Sequence, residues 1–238
     1  MIQVSVVLCC YNGGPTVGAA LESAFRQTMP PGRHEVVFVD DGSSDDTETV
    51  ARAFERHTGF RYLRNAANMG LVTSANRGIQ EARGALVVRL DADDTLAPDA
   101  LVELSAPLER GGTDLVYSDR YEVAEGAGQR TRITMEGFNL FDLVACGTMM
   151  RRDLILEVGG YRPLFWEEYD LYMRYLIRSG RPAHHVPQPL YSYSIHQASM
   201  TADAGRVRAG WDELLRAWPL ETLERYGRLP AAANTATG

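Results

Sequence analysis

The chain has 238 residues, and its 24 arginine and lysine residues against 31 aspartate and glutamate residues give a formal net charge of −7. This length suits one α/β domain with a buried core, and the negative charge disfavours a nucleic-acid partner. All 24 cationic side chains are arginine. That excludes P-loop NTPases, protein kinases and pyridoxal phosphate enzymes, because each of these classes needs a particular lysine.

The three cysteines have neither the spacing of metal ligands nor that of a disulfide framework. Cys9 and Cys10 end an apolar segment and Cys146 stands alone, so we expect reduced, buried thiols. No apolar run reaches the length of a membrane span, and no signal peptide precedes the first predicted strand. These features predict a cytoplasmic protein without a transmembrane segment. Peripheral contact with the inner face of a membrane stays an open alternative.

Strands and helices alternate through the first half of the chain. Pro15 suits the first turn of the first helix, and Gly42 supplies a tight turn after the second strand. The predicted strands cover residues 3–9, 35–39, 60–63 and 85–90, and the predicted helices cover 15–27, 44–58 and 71–82. This alternation predicts right-handed βαβ units and a mainly parallel sheet.

Two of the predicted strands end in carboxylates. They are Asp40 and Asp41 after the second strand, and Asp91, Asp93 and Asp94 after the fourth. The carboxyl ends of parallel strands meet at one edge of a sheet, where the ligands of open α/β proteins bind. A hard divalent cation there takes one or two carboxylates plus substrate phosphates, so the pattern predicts a metal site that receives a diphosphate. A solvated acidic turn before the helix at Pro98 explains the second cluster as well, and both interpretations stay open at this point.

The second half of the chain has a mixed pattern. Predicted helices cover residues 98–110, 152–158 and 165–179, and a terminal helix pair at 211–226 is broken at Pro219. Predicted strands cover 115–122, then 130–135 across a glycine-rich turn at 125–129, then 148–150, and lastly part of 187–195 leading to His196. The final residues, 230–238, are small and polar and are expected to be disordered.

Several short motifs occur in order between residue 4 and about residue 201. They are Val4-Ser5-Val6-Val7 with Tyr11-Asn12; Val39-Asp40-Asp41-Gly42-Ser43; Asn68-Met69-Gly70 with Asn76-Arg77-Gly78; Leu90-Asp91-Ala92-Asp93-Asp94; Gly159-Gly160-Tyr161; Glu167-Glu168-Tyr169-Asp170-Leu171; and His196 with Ser199. Each motif is weak alone. In this order and spacing they resemble the inverting glycosyltransferases of family 2, which have the GT-A fold.

The resemblance implies an α/β fold with a Rossmann-like, mainly parallel sheet flanked by helices, followed by an α+β portion on the acceptor side. It implies one domain over residues 1–229, before the tail at 230–238. Within that domain, residues 1–97 would form the nucleotide-binding half and residues 98–229 the acceptor-side half.

The resemblance also implies roles for the residues at the strand ends. Asp41 would bind the nucleotide base with Tyr11 packed beside it, and Asp91 would face the ribose or the sugar. Asp93 would bind the Mg²⁺ or Mn²⁺ ion that bridges the two phosphates of the donor.

Three further residues have two interpretations each. Asp94 is either a second metal contact or a structural neighbour, and His196 lies either near the metal or in an ordinary surface loop. Trp166 either stacks on a sugar face or belongs to the core. The predicted metal ligands are therefore Asp93, Asp94 and His196.

The catalytic base is expected in the pair Glu167 and Glu168. The family usually has Glu-Asp here with the aspartate as the base, so the resemblance assigns this role to Glu168. A glutamate is one methylene longer, and a misplacement of about 1 Å can cost roughly a hundredfold in rate. Glu167 and Asp170 therefore stay open as alternative bases, and so does weak activity.

The leading hypothesis is a metal-dependent enzyme that moves a sugar from a nucleotide-diphosphate-sugar to an acceptor hydroxyl with inversion, in cell-wall or polysaccharide biosynthesis. The acceptor would be a glycan or a lipid-linked sugar. A homodimer stays open. The processive synthases of the family add membrane helices and a Gln-x-x-Arg-Trp motif, and the sequence has neither, so we expect single addition.

Two alternatives compete with this hypothesis. A non-catalytic relative that binds a nucleotide-sugar without turnover is favoured only by the Glu-Glu pair. A sugar nucleotidyltransferase on a related fold is the weaker alternative, because the glycine-rich loop and the lysine of that class are missing.

Overall fold

A sheet of nine strands forms the centre of the computed structural model, which describes residues 1–124, 130–197 and 199–234. The strands are β1 (Val4–Cys10), β2 (His34–Asp40), β3 (Phe60–Arg64), β4 (Leu86–Asp91), β5 (Thr95–Leu96), β6 (Leu115–Ala124), β7 (Arg130–Ile133), β8 (Thr148–Arg151) and β9 (His184–Ile195). Within the described residues their order is β3-β2-β1-β4-β8-β6-β9-β5, and β7 pairs with β6.

Helices flank this sheet. They are α1 (Gly14–Phe25), α2 (Thr47–Arg52), α3 (Leu71–Glu81), α4 (Ala100–Arg110), α5 (Arg152–Glu157), α6 (Glu167–Ser179), α7 (Ala204–Ala217), α8 (Leu220–Tyr226) and α9 (Ala231–Asn234). The predicted second helix is too long, because α2 ends at Arg52 and the chain then forms turns. In those turns Phe54 and His57 stack on Phe25, which gives this segment an apolar contact without further helix.

The first four strands confirm the predicted parallel sheet. Strand β1 lies between β2 and β4, parallel to both, and β3 extends the parallel set beyond β2. The register pairs Cys10 with Asp40 and Cys9 with Asp91, so the carboxylate-bearing ends of β2 and β4 lie on either side of the end of β1. The prediction that both acidic groups meet at one edge of the sheet is therefore confirmed.

Two apolar clusters fill the space on the two faces of the sheet. Because successive strand residues point to opposite faces, Val6 and Leu8 of β1 join one cluster and Val7 joins the other. The first cluster contains the buried faces of α1 and α4, and the second contains those of α3, α6 and α7. Strand β1 is buried along its whole length because helices cover both of its faces.

The sheet becomes mixed at strand β8, which runs antiparallel to both β4 and β6. Beyond it, the long strand β9 pairs parallel with β6. Strand β5 was not predicted; its two residues, Thr95 and Leu96, pair antiparallel with Ser192 and Tyr191 of β9. This short pairing brings the acidic turn after β4 beside the end of β9. The predicted turn at 125–129 lies outside the described residues.

The C-terminal part confirms the predicted break at Pro219, which separates α7 from α8. Helix α7 begins earlier than predicted, because Asp203 caps its first turn by accepting hydrogen bonds from the Gly205 and Arg206 amides. The tail predicted to be disordered starts with the short helix α9, in which Ala233 is buried, and residues 235–238 lie outside the described part. No helix in that part is both long and apolar enough to span a lipid bilayer.

Candidate active site

A cavity of about 370 Å³ opens at the edge of the sheet where β1, β2 and β4 end. Its lining residues come from the end of β1, the start of α1, the acidic turn after β4 and the residue after β9; they are Cys9, Cys10, Tyr11, Asn12, Gly13, Pro15, Thr16, Ala92, Asp93 and His196. Tyr11 is half exposed at this cavity. The structure therefore brings Tyr11, Asp93 and His196, which are distant in sequence, to one place.

Asp40 has a structural role that the sequence did not reveal. Its side chain is fully buried, and its Oδ2 accepts hydrogen bonds of 2.6 Å from both the Tyr62 hydroxyl and Arg64 Nη1. Its Oδ1 accepts the Ser43 amide at 2.8 Å. Burial alone raises the pKa of Asp40, but these hydrogen bonds and the charge of Arg64 outweigh it and hold the pKa below the ordinary value. Asp40 thus fixes the turn after β2 and does not face the cavity.

We predict that Asp40→Asn lowers the melting temperature by about 5–10 °C, because the amide replaces one accepting oxygen with a donor and removes the negative charge that Arg64 faces, at a cost of about 2–3 kcal/mol. The folded-state pKa of Asp40 is lowered, so its stabilisation is complete above the unfolded pKa of about 4 and declines as pH falls through the folded value. Melting curves of the variant and the wild type should therefore converge in acid. A constant difference from pH 7 to pH 3 would contradict this role.

Asp41 orders the loop before α3. Its Oδ1 accepts hydrogen bonds from Asn65 Nδ2 at 2.7 Å and the Met69 amide at 2.8 Å, and its Oδ2 accepts the Gly70 amide at 2.8 Å. The carboxylate is almost completely buried. The predicted contact of Asp41 with a nucleotide base stays a prediction, and any such contact would use an oxygen that also holds this loop.

The acidic turn after β4 is tied to the end of β9. Asp93 Oδ2 lies 2.7 Å from His196 Nε2, and the Ser194 hydroxyl donates to the Asp93 carbonyl oxygen at 2.5 Å. Both side chains of the Asp93–His196 pair are partly exposed. Ser194 was not predicted as part of this region. Its contacts with the acidic turn depend on the pairing of β5 with β9, which is visible only in the three-dimensional structure.

Asp94 points away from the cavity into the protein. Its Oδ1 accepts the Ser194 amide at 2.8 Å, and its Oδ2 is buried without a hydrogen-bond partner among the described residues. Burial, followed by the charges of Asp91 and Asp93, raises the pKa of Asp94 to about 8. The structure thus brings Asp93 and His196 together and places Asp94 behind them, against β9.

The residues at this turn fit a divalent cation only as part of a larger ligand set. Within the described residues, no three carboxylate, imidazole or thiol groups are arranged to hold a metal ion. Asp93 and His196 still offer two partly exposed donor groups. Mg²⁺ and Mn²⁺ commonly take one or two protein ligands and complete their shell with phosphates and water. The donor set fits such a shared site and does not form a closed protein cage.

Arg89 was not predicted, although a charged residue inside the apolar run of β4 is a visible signal. Its side chain is only 7% exposed. Its Nε donates to Asp91 Oδ1 at 3.1 Å and its Nη1 donates to Glu167 Oε1 at 3.0 Å. The guanidinium also lies 5.3 Å from the centre of the Tyr161 ring. Arg89 therefore joins the end of β4 to the start of α6.

Glu168 is placed differently from its neighbour Glu167. It is partly exposed, and among the described residues no side chain pairs with it. It lines a small cavity of about 80 Å³ together with Glu167, Arg89, Asp91 and Trp166, but Glu167 is paired there with Arg89. Burial, followed by the charge of Glu167, raises the pKa of Glu168 well above its ordinary value. Such a carboxylate takes up a proton more readily than an ordinary glutamate.

The other two candidates near this pair have structural contacts. Asp170 accepts two hydrogen bonds from Arg174, at 2.6 and 2.9 Å, and one from Trp218 Nε1 at 3.0 Å, so it faces away from the small cavity. The Trp166 ring packs against Phe165, Tyr169 and Trp211 and is 9% exposed. These contacts favour the core interpretation of Trp166 over stacking on a sugar.

A mixed sheet with flanking helices thus carries acidic strand ends at one edge, and the carboxylate pair at the start of α6 lies beside the end of β4. The profile of the family described as Glycosyl transferase family 2 matches residues 5–159, and the chain belongs to this family.

Two curated relatives illustrate the sequence similarity. The chain is 30% identical over 232 residues to the uncharacterized protein MT1568 of Mycobacterium tuberculosis (strain CDC 1551 / Oshkosh), a match that covers 87% of this chain and 70% of that protein. It is 30% identical over 206 residues to the succinoglycan biosynthesis protein ExoU of Rhizobium meliloti (strain 1021), covering 75% of this chain and 58% of ExoU. The match thus leaves a substantial part of ExoU uncovered.

Two solved structures illustrate the similarity of fold. TarS of S. aureus, in complex with UDP-GlcNAc, superposes with a TM-score of 0.75 at 19% identity and covers 94% of this chain and 71% of that one. The mannosyltransferase PcManGT from Pyrobaculum calidifontis, in complex with GDP-Man and Mn²⁺, gives a TM-score of 0.72 at 19% identity, covering 99% and 79%. The predicted GT-A fold is therefore confirmed.

Proposed function

We propose that this chain transfers a sugar from a nucleotide-diphosphate-sugar to an acceptor hydroxyl with inversion at the anomeric carbon, and that Glu168 is the base. One observation carries the proposal. Of the two adjacent glutamates, only Glu168 lacks a side-chain partner among the described residues, and it faces a cavity that it shares with Asp91 at the end of β4. A base must be free to reach the acceptor while the donor lies on the other side of the reacting carbon.

The proposed transfer forms one bond, breaks one bond and moves one proton. The acceptor oxygen forms a bond to the anomeric carbon while the bond from that carbon to the diphosphate oxygen breaks, and its electron pair leaves with the diphosphate. The acceptor proton passes to a carboxylate oxygen of Glu168. The raised pKa of Glu168 suits this role, because the efficiency of a general base increases as its pKa approaches the working pH.

The larger cavity at the end of β1 is the proposed donor site. Asp41 and Tyr11 would serve the nucleotide base, and Asp91 the ribose or sugar. Asp93, assisted by His196, would hold Mg²⁺ or Mn²⁺. Asp94 would support this turn through its hydrogen bond with the Ser194 amide of β9. When bound, such an ion neutralises charge that develops on the departing diphosphate.

The nucleotide-sugars bound to TarS and PcManGT support a nucleotide-sugar as the donor. Because one is a uridine and the other a guanosine nucleotide, the nucleobase of the donor stays open. The name of ExoU supports an acceptor in polysaccharide biosynthesis, either a glycan or a lipid-linked sugar. We retain the division into a donor half at residues 1–97 and an acceptor half at 98–229 as part of this proposal.

The proposal is tested by thermal melting of the purified protein with UDP, GDP, dTDP and their common sugars, each with Mn²⁺ and with EDTA. A nucleotide at a hundredfold excess over its dissociation constant adds about 2.7 kcal/mol, or about 5–10 °C in this size range. We expect one nucleotide to stabilise the protein strongly in Mn²⁺ and weakly in EDTA.

Release of that nucleotide from its sugar is then measured with and without acceptor extracts. Binding without release under any condition would favour the non-catalytic alternative. No shift with any nucleotide would contradict the proposed donor site itself.

A further inference from the structure

We propose that Arg89 is the positioning residue that determines which of the two adjacent glutamates serves as the base. It holds Glu167 in a buried ion pair and thereby leaves Glu168 free at the acceptor side. This inference rests on the proposed function and deepens it, because it assigns a role to a side chain outside the family motifs.

The ion pairs of Arg89 are arranged as a rigid link. One edge of the guanidinium contacts Asp91, two residues along the same strand, and another nitrogen contacts Glu167 on α6. Arg89 and Glu167 are both less than one-tenth exposed, and the Tyr161 ring covers the guanidinium. Because an arginine presents its donors in a fixed plane, these contacts fix the distance and orientation between β4 and the first turn of α6.

The first turn of α6 depends on this link. The residue before the helix, Trp166, provides no side-chain cap, so among the described residues no capping side chain sets the rotation of the helix start. Consecutive helix residues point about 100° apart. Pinning Glu167 toward β4 therefore directs Glu168 at a different angle. Both glutamates line the small cavity, but among the described residues only Glu168 has no side-chain partner there.

Charged and titratable groups from each neighbouring element act on Glu168. Arg89 and Asp91 belong to β4; Glu167, Tyr169 and Tyr172 belong to α6; Tyr161 belongs to the loop between α5 and α6; and Tyr193 of β9 lines the same small cavity. Arg89 stabilises the charged form of Glu168, whereas Glu167 and Asp91 destabilise it. Removing Arg89 and removing the charge of Glu167 should therefore have opposite effects on the protonation of Glu168.

The test is the pH dependence of kcat for nucleotide release, measured with the donor identified above in the wild type, Arg89→Met and Glu167→Gln. Glu168 must lose its proton before it can act, so the rate rises with pH through its pKa. In Arg89→Met the rise should move to higher pH by at least about one unit, because a nearby opposite charge is lost. In Glu167→Gln the rise should move to lower pH, because a nearby like charge is lost.

A structural role alone would not produce opposite shifts. Arg151→Met removes a more exposed ion pair, with Asp114, beside the opposite end of β4 and is the control; its pH profile should equal that of the wild type. Arg89→Lys keeps the charge but not the planar donors, so its rise should stay near the wild-type pH while kcat falls. Nucleotide-induced melting shifts show that each variant is folded.

Two outcomes separate the inference from the proposed function. If the wild type turns over and the rise in Arg89→Met and Glu167→Gln stays at the wild-type pH, or moves in one direction in both, the role of Arg89 is wrong while the transferase stands. If Arg89→Met does not fold, Glu167→Gln and Arg89→Lys still decide the question. If the wild type shows no nucleotide release, the proposed function fails before Arg89 is tested.

Discussion

Glu168→Gln is expected to lower kcat about 10²–10⁴-fold, the usual contribution of a general base. Glutamine keeps the size of the side chain but cannot accept the acceptor proton. The affinity for the nucleotide should be unchanged, because Glu168 lines the small cavity and the proposed nucleotide site is the larger cavity at the end of β1. Single-turnover release of the nucleotide, together with its melting shift, measures the two effects separately.

Two further variants test whether Glu168 or Asp170 is the base. Glu168→Asp restores the residue that is usual in the family but withdraws the carboxylate by one methylene, so we expect partial activity, reduced by up to about a hundredfold. Asp170→Asn disturbs the contacts with Arg174 and Trp218 and should lower the melting temperature more than it lowers kcat. A loss of kcat in Asp170→Asn that equals the loss in Glu168→Gln, with little loss of stability, would identify Asp170 as the base.

The sheet edge was predictable because its signals are local. The apolar runs of β1, β2 and β4 each stand between clear turns, and parallel pairing then dictates that their carboxyl ends meet. The register observed in the structure, Cys9 beside Asp91 and Cys10 beside Asp40, agrees with that expectation. The acidic groups of both strand ends could therefore be assigned to one edge of the sheet from the sequence alone.

The roles of the individual carboxylates were not predictable, because each depends on a distant partner. Asp40 and Asp41 are adjacent in sequence, but Asp40 is held by Tyr62 and Arg64 from β3 and Asp41 by the loop before α3. Asp94 is likewise defined by Ser194, a hundred positions away along the chain. Local patterns identify the acidic turn but not which oxygen faces inward.

The ion pairing of Arg89 could have been predicted in part from the sequence. A cation inside a buried strand needs an anionic partner, since burying an unpaired charge is costly. The strand pattern alone therefore required a carboxylate near Arg89, and Asp91 and the Glu167–Glu168 pair were the available candidates. Which of them it contacts depends on how α6 approaches β4. That approach involves residues far apart in the chain, because Trp166 and Tyr169 at the start of α6 pack against Trp211 of α7.

The second large effect is expected at the acidic turn. Asp93→Ala should abolish the difference between Mn²⁺ and EDTA in the nucleotide-induced melting shift, because it removes the most exposed of the proposed metal ligands. It should lower turnover by about a thousandfold, since charge stabilisation by a metal is worth several kcal/mol. Binding of free Mn²⁺ in the presence of nucleotide, measured by electron paramagnetic resonance, gives a readout that does not depend on turnover.

His196→Ala and Asp153→Asn complete the comparison. His196 contacts Asp93 at 2.7 Å, so its removal should weaken the Mn²⁺ dependence without abolishing it. Asp153 is almost fully exposed on α5, and its substitution should leave both the melting shift and Mn²⁺ binding at wild-type values. If Asp93→Ala keeps the full Mn²⁺-dependent shift, Asp93 is not the metal ligand. In that case the unpartnered oxygen of Asp94 and the partly exposed Asp91 are the next groups to replace, because they are the remaining carboxylates of the same turn.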